Sequence, residues 1–229
     1  MTDYKTYIFD LYGTLLRHES DEKCDTTWKK WLKYLDKDKI SHPDYITFRR
    51  EFFDRDLAAR ARITTEEGIK FPEIDVIPIY EELFLKYGNG KLDIDTLNRY
   101  SYAFREASTS VMELYPGVEE FLAKLRSEGK RVFILSNAQR SYTEPEIKLF
   151  GLDKMVDDYL MSSDYHFMKP QPEFFDVLIN KHNIDRKSAV MVGDSMWSDI
   201  NGAIASGLEY IHLTGENGAD KFYIQACTN

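Results

Sequence analysis

Tyr7-Ile8-Phe9-Asp10-Leu11-Tyr12-Gly13-Thr14-Leu15 is the stretch on which the fold turns. An apolar run ends in an acid, and a glycine and a threonine follow. Buried parallel strands read as continuous apolar runs, because helices cover both faces of the sheet. An acid at the carboxyl end of such a strand lies where open α/β sheets bind their ligands. Gly13 lets the backbone approach a substrate closely, and Thr14 adds a hydroxyl. Taken alone, the stretch reads better as a strand followed by an ordinary turn acid.

Two further runs have the same form: VFIL before Ser136 and AVMV before Gly193. A helix is expected after each. The first opens near Thr143 with Pro145 in its first turn, and the second runs through WSDINGAIASGL to a stop at Gly207. Residues 158–161 and 210–213 supply two more strands. Strands alternating with helices predict a parallel sheet covered on both faces. The intervening stretch differs. Trp28, Trp31, Leu32 and Leu35 recur at helical spacing, and Pro43 can open a second helix carrying Phe48, Phe52, Phe53 and Leu57. A third helix is stopped by Gly88, and a fourth fills residues 93–115 before Pro116-Gly117. No strand-like run appears between Leu16 and Ser110. The expected architecture is an α/β core of residues 1–16 plus 111–229, interrupted by an all-helical insertion at 17–110.

Composition narrows the function. Hydrophobic residues make up 43% and charged residues 30% of the 229 residues, as in globular proteins. Thirty Lys and Arg against 39 Asp and Glu give a formal charge of −9. With no basic run to offset it, nucleic acid and anionic membrane surfaces are not expected partners. The two cysteines, Cys24 and Cys227, cannot build a disulfide framework. No apolar run approaches the ~20 residues of a membrane span, and no signal-peptide pattern opens the sequence, so a cytoplasmic location is expected. The histidines (His18, His42, His166, His182 and His212) lack zinc-ligand spacing.

Four short motifs then occur in order. Asp10-x-x-Gly-Thr-Leu follows the first strand and Leu135-Ser136-Asn137 the second. Lys169-Pro170 precedes a helix, and Gly193-Asp194-Ser195 with Asp199 follows a later strand. Each is weak alone, but as a set they resemble the motifs of the haloacid dehalogenase-like hydrolase superfamily, across nearly the whole chain. The resemblance implies a Rossmann-like core with the helical insertion as a cap domain. It also implies an enzyme in which Asp10 is a covalent nucleophile. Ser136 and the Asn137 amide would hold the oxygens of the transferring group, beside Gly13 and Thr14. Lys169 would neutralise charge on nucleophile and substrate. Mg²⁺ would be held by Asp10, the Tyr12 carbonyl and Asp194, with Asp199 a ligand or the group that orients a metal-bound water or Lys169.

Tyr12 departs from the phosphatase pattern, which places a second aspartate there as general acid and base. A tyrosine, with an ordinary pKa of ~10, is a poor replacement in that catalytic role. Asp-x-Tyr-Gly-Thr looks instead like the superfamily's 2-haloacid dehalogenases, whose halide leaves without a proton. Those enzymes work without metal and replace Gly-Asp in the fourth motif, whereas this chain keeps Gly193-Asp194 and Asp199. Three carboxylates against Lys169 alone cost several kcal/mol unless a cation joins them or a proton stays on. The expected function is therefore Mg²⁺-dependent hydrolysis of a small phosphorylated metabolite, slow where the leaving group is poor. Metal-independent dehalogenation is the alternative, and a non-catalytic small-ligand binding module is a further one. His18, Glu19, Asp21 and Glu22 are candidates for the missing acid. The physiological substrate and the oligomeric state are left open.

Overall fold

The computed structural model of the chain describes residues 4–215 and 218–228. In chain order, β1 (Thr6–Phe9) and β2 (Leu16–Ser20) precede four helices. These are α1 (Asp25–Lys37), α2 (Tyr45–Glu67), α3 (Ile77–Lys86) and α4 (Ile94–Ser108). Then come β3 (Thr109–Leu114), α5 (Val118–Ser127), β4 (Arg131–Ser136), α6 (Arg140–Leu149) and β5 (Asp158–Met161). The chain ends with α7 (Pro172–His182), β6 (Ala189–Gly193), α8 (Asn201–Ala205), β7 (Glu209–His212) and α9 (Ala219–Thr228).

β1, β4, β5, β6 and β7 form one sheet in the order β5-β4-β1-β6-β7, with every pairing parallel. Alternation along the strands explains why both faces are covered. Tyr7, Phe9, Val132, Ile134, Val190 and Val192 pack on one side against α5 and α9. Ile8, Phe133, Leu135 and Met191 pack on the other against α7 and α8. β1 lies between β4 and β6, where the strand order reverses. Open α/β sheets leave a crevice at the carboxyl ends of such strands, and Asp10 sits there.

The helices α1 to α4 have a separate aromatic core built around Trp28, Trp31, Phe48, Tyr80, Phe84 and Phe104. Trp31 is fully buried, and its Nε1 donates to the Tyr100 carbonyl at 2.8 Å. Leu57, expected on the inner face of α2, is 69% exposed. This helical layer is stitched to the sheet layer close to Lys169. Gln139 brackets one segment, donating to the Ile74 carbonyl at 2.8 Å and accepting from the Val76 N–H at 3.0 Å. Glu73 N–H donates to the His166 carbonyl at 3.0 Å and Met168 N–H to the Phe71 carbonyl at 3.2 Å.

The structure corrects three local readings. A strand does occur in the stretch read as strand-free, because β2 pairs antiparallel with β3. The ribbon buries little (in β2 only Leu16 is fully covered), so its sequence LRHES carries no apolar run to signal it. The fourth helix stops at Ser108 rather than continuing to Tyr115, since Thr109 turns extended and Thr109 and Val111 favour a strand. α6 opens at Arg140, one turn before the expected start, and Pro145 lies inside it. The Gln139 carbonyl already accepts from the Tyr142 and Thr143 N–H groups, and Ser163 Oγ accepts from Arg140 N–H.

Replacing Trp31 with alanine empties the centre of the aromatic core and removes the donor that ties α1 to the Tyr100 carbonyl of α4. The expected loss is about 3–5 kcal/mol, read as a lowered urea midpoint.

Candidate active site

The sheet delivers Asp10 to the crevice and fixes it there, its N–H donating to the Val192 carbonyl at 2.9 Å. Lys169 approaches from the loop before α7 and is fully buried. Its ammonium has three donors and uses all three: Asp10 Oδ1 at 2.7 Å, Asp199 Oδ1 at 2.7 Å and the Leu135 carbonyl at 2.6 Å. Burial alone would lower the lysine pKa, but attraction from Asp10 and Asp199 overcomes it and keeps the group charged. Burial pushes the Asp10 carboxyl up to about 7; Lys169 pulls it down, while Asp199 and Asp194 push it back up.

Asp194 completes the acidic cluster. One carboxylate oxygen from each of Asp10, Asp194 and Asp199 can be chosen so that all lie within 4.8 Å of one another. Asp199 is fully buried and heavily engaged: besides Lys169, it accepts from Ser195 N–H at 3.0 Å and Ser198 Oγ at 3.3 Å. Asp194 faces solvent and accepts from Thr14 Oγ1 at 3.3 Å. Partial desolvation by the crevice walls, and then Asp199, raise its carboxyl pKa. Asp194 presses against Gly13, where an added Cβ would lie 2.4 Å from Asp194 Oδ2. Gly13 also has φ +80°, a conformation that favours glycine. An all-oxygen donor set with surplus negative charge fits a hard divalent cation. Of the three carboxylates, Asp10 and Asp194 are the freer to ligate, and Asp199 holds the lysine.

The structure thus brings Asp10, Gly13, Thr14, Lys169, Asp194 and Asp199 together, with Ser136 buried at the end of β4. Two expected site residues are occupied elsewhere. The Asn137 side chain is consumed in tying two loops together, donating to the Lys169 carbonyl at 2.9 Å and accepting from Lys169 N–H at 2.8 Å. The Tyr12 hydroxyl donates to the Glu146 carboxylate and pairs with Thr143 Oγ1 at 2.9 Å. Burial, with Glu146 adding to it against Arg105, raises the phenol pKa far above its ordinary value. The Arg105 guanidinium lies 4.8 Å from the Tyr12 ring centre, and its Nε donates to Glu146 Oε1 at 2.8 Å.

A cavity of about 340 Å³ opens beside Tyr12 and Asn137, between the sheet layer and the helical layer. His18, Glu22, Asp56 and Arg105 are among its walls. A larger groove, about 640 Å³, is lined by α4 and α6 residues such as Arg99 and Lys148; neither space is lined by Asp10, Asp194 or Asp199, but the smaller one reaches Tyr12 and Asn137. Glu19 and Asp21, two candidates for the missing acid, are exposed, and Asp21 accepts from the Lys23 and Cys24 N–H groups. Sequence reasoning missed Glu146 and Arg105. Both are ordinary helix residues by pattern, and no local spacing marks their contact with Tyr12.

Residues 4–207 match the family model described as haloacid dehalogenase-like hydrolase. A phosphoglycolate phosphatase of Haemophilus influenzae is 28% identical over 116 residues, 51% of each chain. An (S)-2-haloacid dehalogenase 4A of Burkholderia cepacia is 26% identical over 125 residues, 55% of this chain and 52% of its own. The matched region thus spans about half the length of these relatives. Among solved structures, a phosphatase from Thermococcus onnurineus superposes with a TM-score of 0.53 at 23% identity, covering 94% of this chain and 91% of its own. The L-2-haloacid dehalogenase of Xanthobacter autotrophicus gives 0.53 at 16% identity, covering 93% and 79%. At these identities the structural likeness establishes the fold.

Tyr12→Phe should strip a buried carboxylate of one donor while keeping the ring under Arg105. The expected cost is about 1–3 kcal/mol of stability, measured by chemical denaturation. An unchanged midpoint would show that the hydroxyl does not support Glu146.

Proposed function

The chain belongs to the haloacid dehalogenase-like hydrolase family, and on that premise we propose that it is a Mg²⁺-dependent phosphatase of small phosphorylated metabolites. The observation that carries this reading is the charge at the crevice. Asp10, Asp194 and Asp199 crowd together while Lys169 is shared between Asp10 and Asp199, which leaves Asp194 uncompensated. Like charges at this range are costly in a partly buried site, and a divalent cation relieves them. Asp10 and Asp194 would hold the ion with the Tyr12 carbonyl, and the ion would neutralise the cluster and the substrate's phosphoryl oxygens.

The chain's own groups would divide the remaining work. Asp10 Oδ2, the oxygen that Lys169 does not take, attacks phosphorus to give an aspartyl-phosphate, which water then hydrolyses. Lys169 keeps Asp10 oriented and offsets charge as phosphoryl oxygens approach. Ser136 and the backbone at Asn137 supply donors to those oxygens. Asp199 is a positioning residue, acting through Lys169 and the Ser195 N–H. The helical layer serves as a cap whose cavity walls choose the substrate and exclude water. The phosphoglycolate phosphatases among the relatives favour a small substrate. A cytoplasmic setting fits the two free cysteines. Among the described residues no helix is long and apolar enough to cross a membrane.

Tyr12 favours the second reading, metal-independent carbon–halogen hydrolysis, because its hydroxyl is committed to Glu146 and no acid stands in its place. An activated aryl phosphate and a short 2-haloacid, each assayed with Mg²⁺ and with chelator, separate the two. Phosphate release that chelator abolishes is the expected result. Halide release indifferent to chelator would install the rival, and ligand binding without turnover of either would leave a binding module.

The cation can be tested apart from activity. Mg²⁺ at about 100 times its Kd should stabilise the fold by about 2.7 kcal/mol, seen as a raised melting midpoint. Asp194→Asn should remove most of that shift.

A further inference from the structure

Tyr12 leaves the phosphatase reading without a proton donor, and the cavity beside it narrows the search for one. The cavity is lined by Tyr12 and Asn137, which follow the ends of β1 and β4 by three residues and one. A leaving group bound there would depart from phosphorus toward its walls. Three carboxylates line it: Glu22, Asp56 and Glu73. Asp56 accepts from Arg60 Nε at 3.1 and 3.2 Å. Glu73 is buried and accepts from Arg60, Ile74 N–H and Ser162 Oγ, at 2.7, 2.9 and 2.8 Å. Glu146, just behind Tyr12, is taken by Tyr12 and Arg105.

Glu22 alone among these is held by an ion pair and by no side-chain hydrogen bond. Its carboxylate meets Arg105 Nη1 at 3.6 Å, outside hydrogen-bond reach. Its backbone is nonetheless anchored, since Trp28 Nε1 donates to the Glu22 carbonyl at 2.8 Å. The charged groups facing it are Arg105 from α4, Asp56 from α2 and Glu146 from α6. Its side chain is 43% exposed, and the partial desolvation by the cavity walls raises its carboxyl pKa; Arg105 pulls it down, and Asp56 and Glu146 push it further up. His18 is the other proton-active wall. Burial, and then Arg105, depress its imidazole to about 4, so near neutral pH it is uncharged and lacks the acidic imidazolium proton.

We infer that Glu22 is the general acid and base of this enzyme, taking the role that the second aspartate of the first motif would otherwise fill. The assignment rests on the phosphatase reading above. As Asp10 bonds to phosphorus and the phosphorus–oxygen bond to the leaving group breaks, the Glu22 carboxyl passes its proton to the departing alkoxide. In the second half the Glu22 carboxylate takes a proton from the water that attacks the aspartyl-phosphate. Inorganic phosphate leaves, Asp10 is restored as carboxylate, and Glu22 is protonated again. Slowness toward poor leaving groups, expected from Tyr12 alone, is then lifted.

The test is single-turnover release of the leaving group by the full chain with Mg²⁺, from ethyl phosphate and from a nitrophenyl phosphate. General acid help is worth about 10²–10⁴-fold, so Glu22→Gln should slow ethanol release by that factor. Nitrophenolate, which needs no proton, should be released within about tenfold of the wild-type rate on the same principle. Glu22→Asp, which keeps a proton at shorter reach, should fall between and guards against a glutamine variant that folds poorly. Equal loss on both substrates with an unchanged melting midpoint would make Glu22 a pocket wall and overturn the assignment. No loss on either would overturn it too. If the wild-type protein releases phosphate from neither compound, the phosphatase reading fails first and this one goes with it.

Discussion

The site depends on one buried ammonium. Lys169 is fully buried, and a charged group there is tolerable only if every donor finds an acceptor. Its three partners come from three places: the end of β1, the carbonyl of Leu135 in β4, and Asp199 after β6. The lysine therefore pins together the strands flanking the crevice. Removing any one acceptor would strand a charge in the interior. Asn137 fixes the lysine's own backbone through paired hydrogen bonds, so a residue expected to face substrate instead holds the lysine in register.

The same electrostatics accounts for the division of labour among the aspartates. Asp199 neutralises Lys169 from behind, and Asp10 shares it from the front. Asp194 is left at the surface of the crevice beside Gly13, the position at which a cation has most to compensate. Two segments meet there with no room for a side chain, which is why a glycine stands at position 13.

Tyr12 shows how a residue can keep its place in a motif and lose the expected role. Its ring spans from the end of β1 to α6, and its hydroxyl, Thr143, Glu146 and Arg105 form one buried network. Arg105 belongs to α4, so the network also joins the helical layer to the sheet layer. A carboxylate at position 12 would lack that reach. The geometry gives Tyr12 the work of a strut between the two layers.

Local pattern was enough to read the strands at Tyr7, Val132, Asp158, Ala189 and Tyr210, the aromatic helices after Trp28, and the order of the four motifs. Those features repeat within a few residues, at the period of a strand or helix, and the family resemblance rests on their order. The β2–β3 ribbon was not legible, because it is half exposed and pairs residues about 90 positions apart. Nor were the partners of Tyr12, 131 and 134 residues away along the chain. Hydrogen bonding over such distances leaves no spacing to read. By itself the sequence determined the fold class and which acids and lysine gather at the crevice. The tertiary structure alone decided which of their atoms are already spent, and that is settled by packing: a buried polar group must take whichever partner the fold brings within reach.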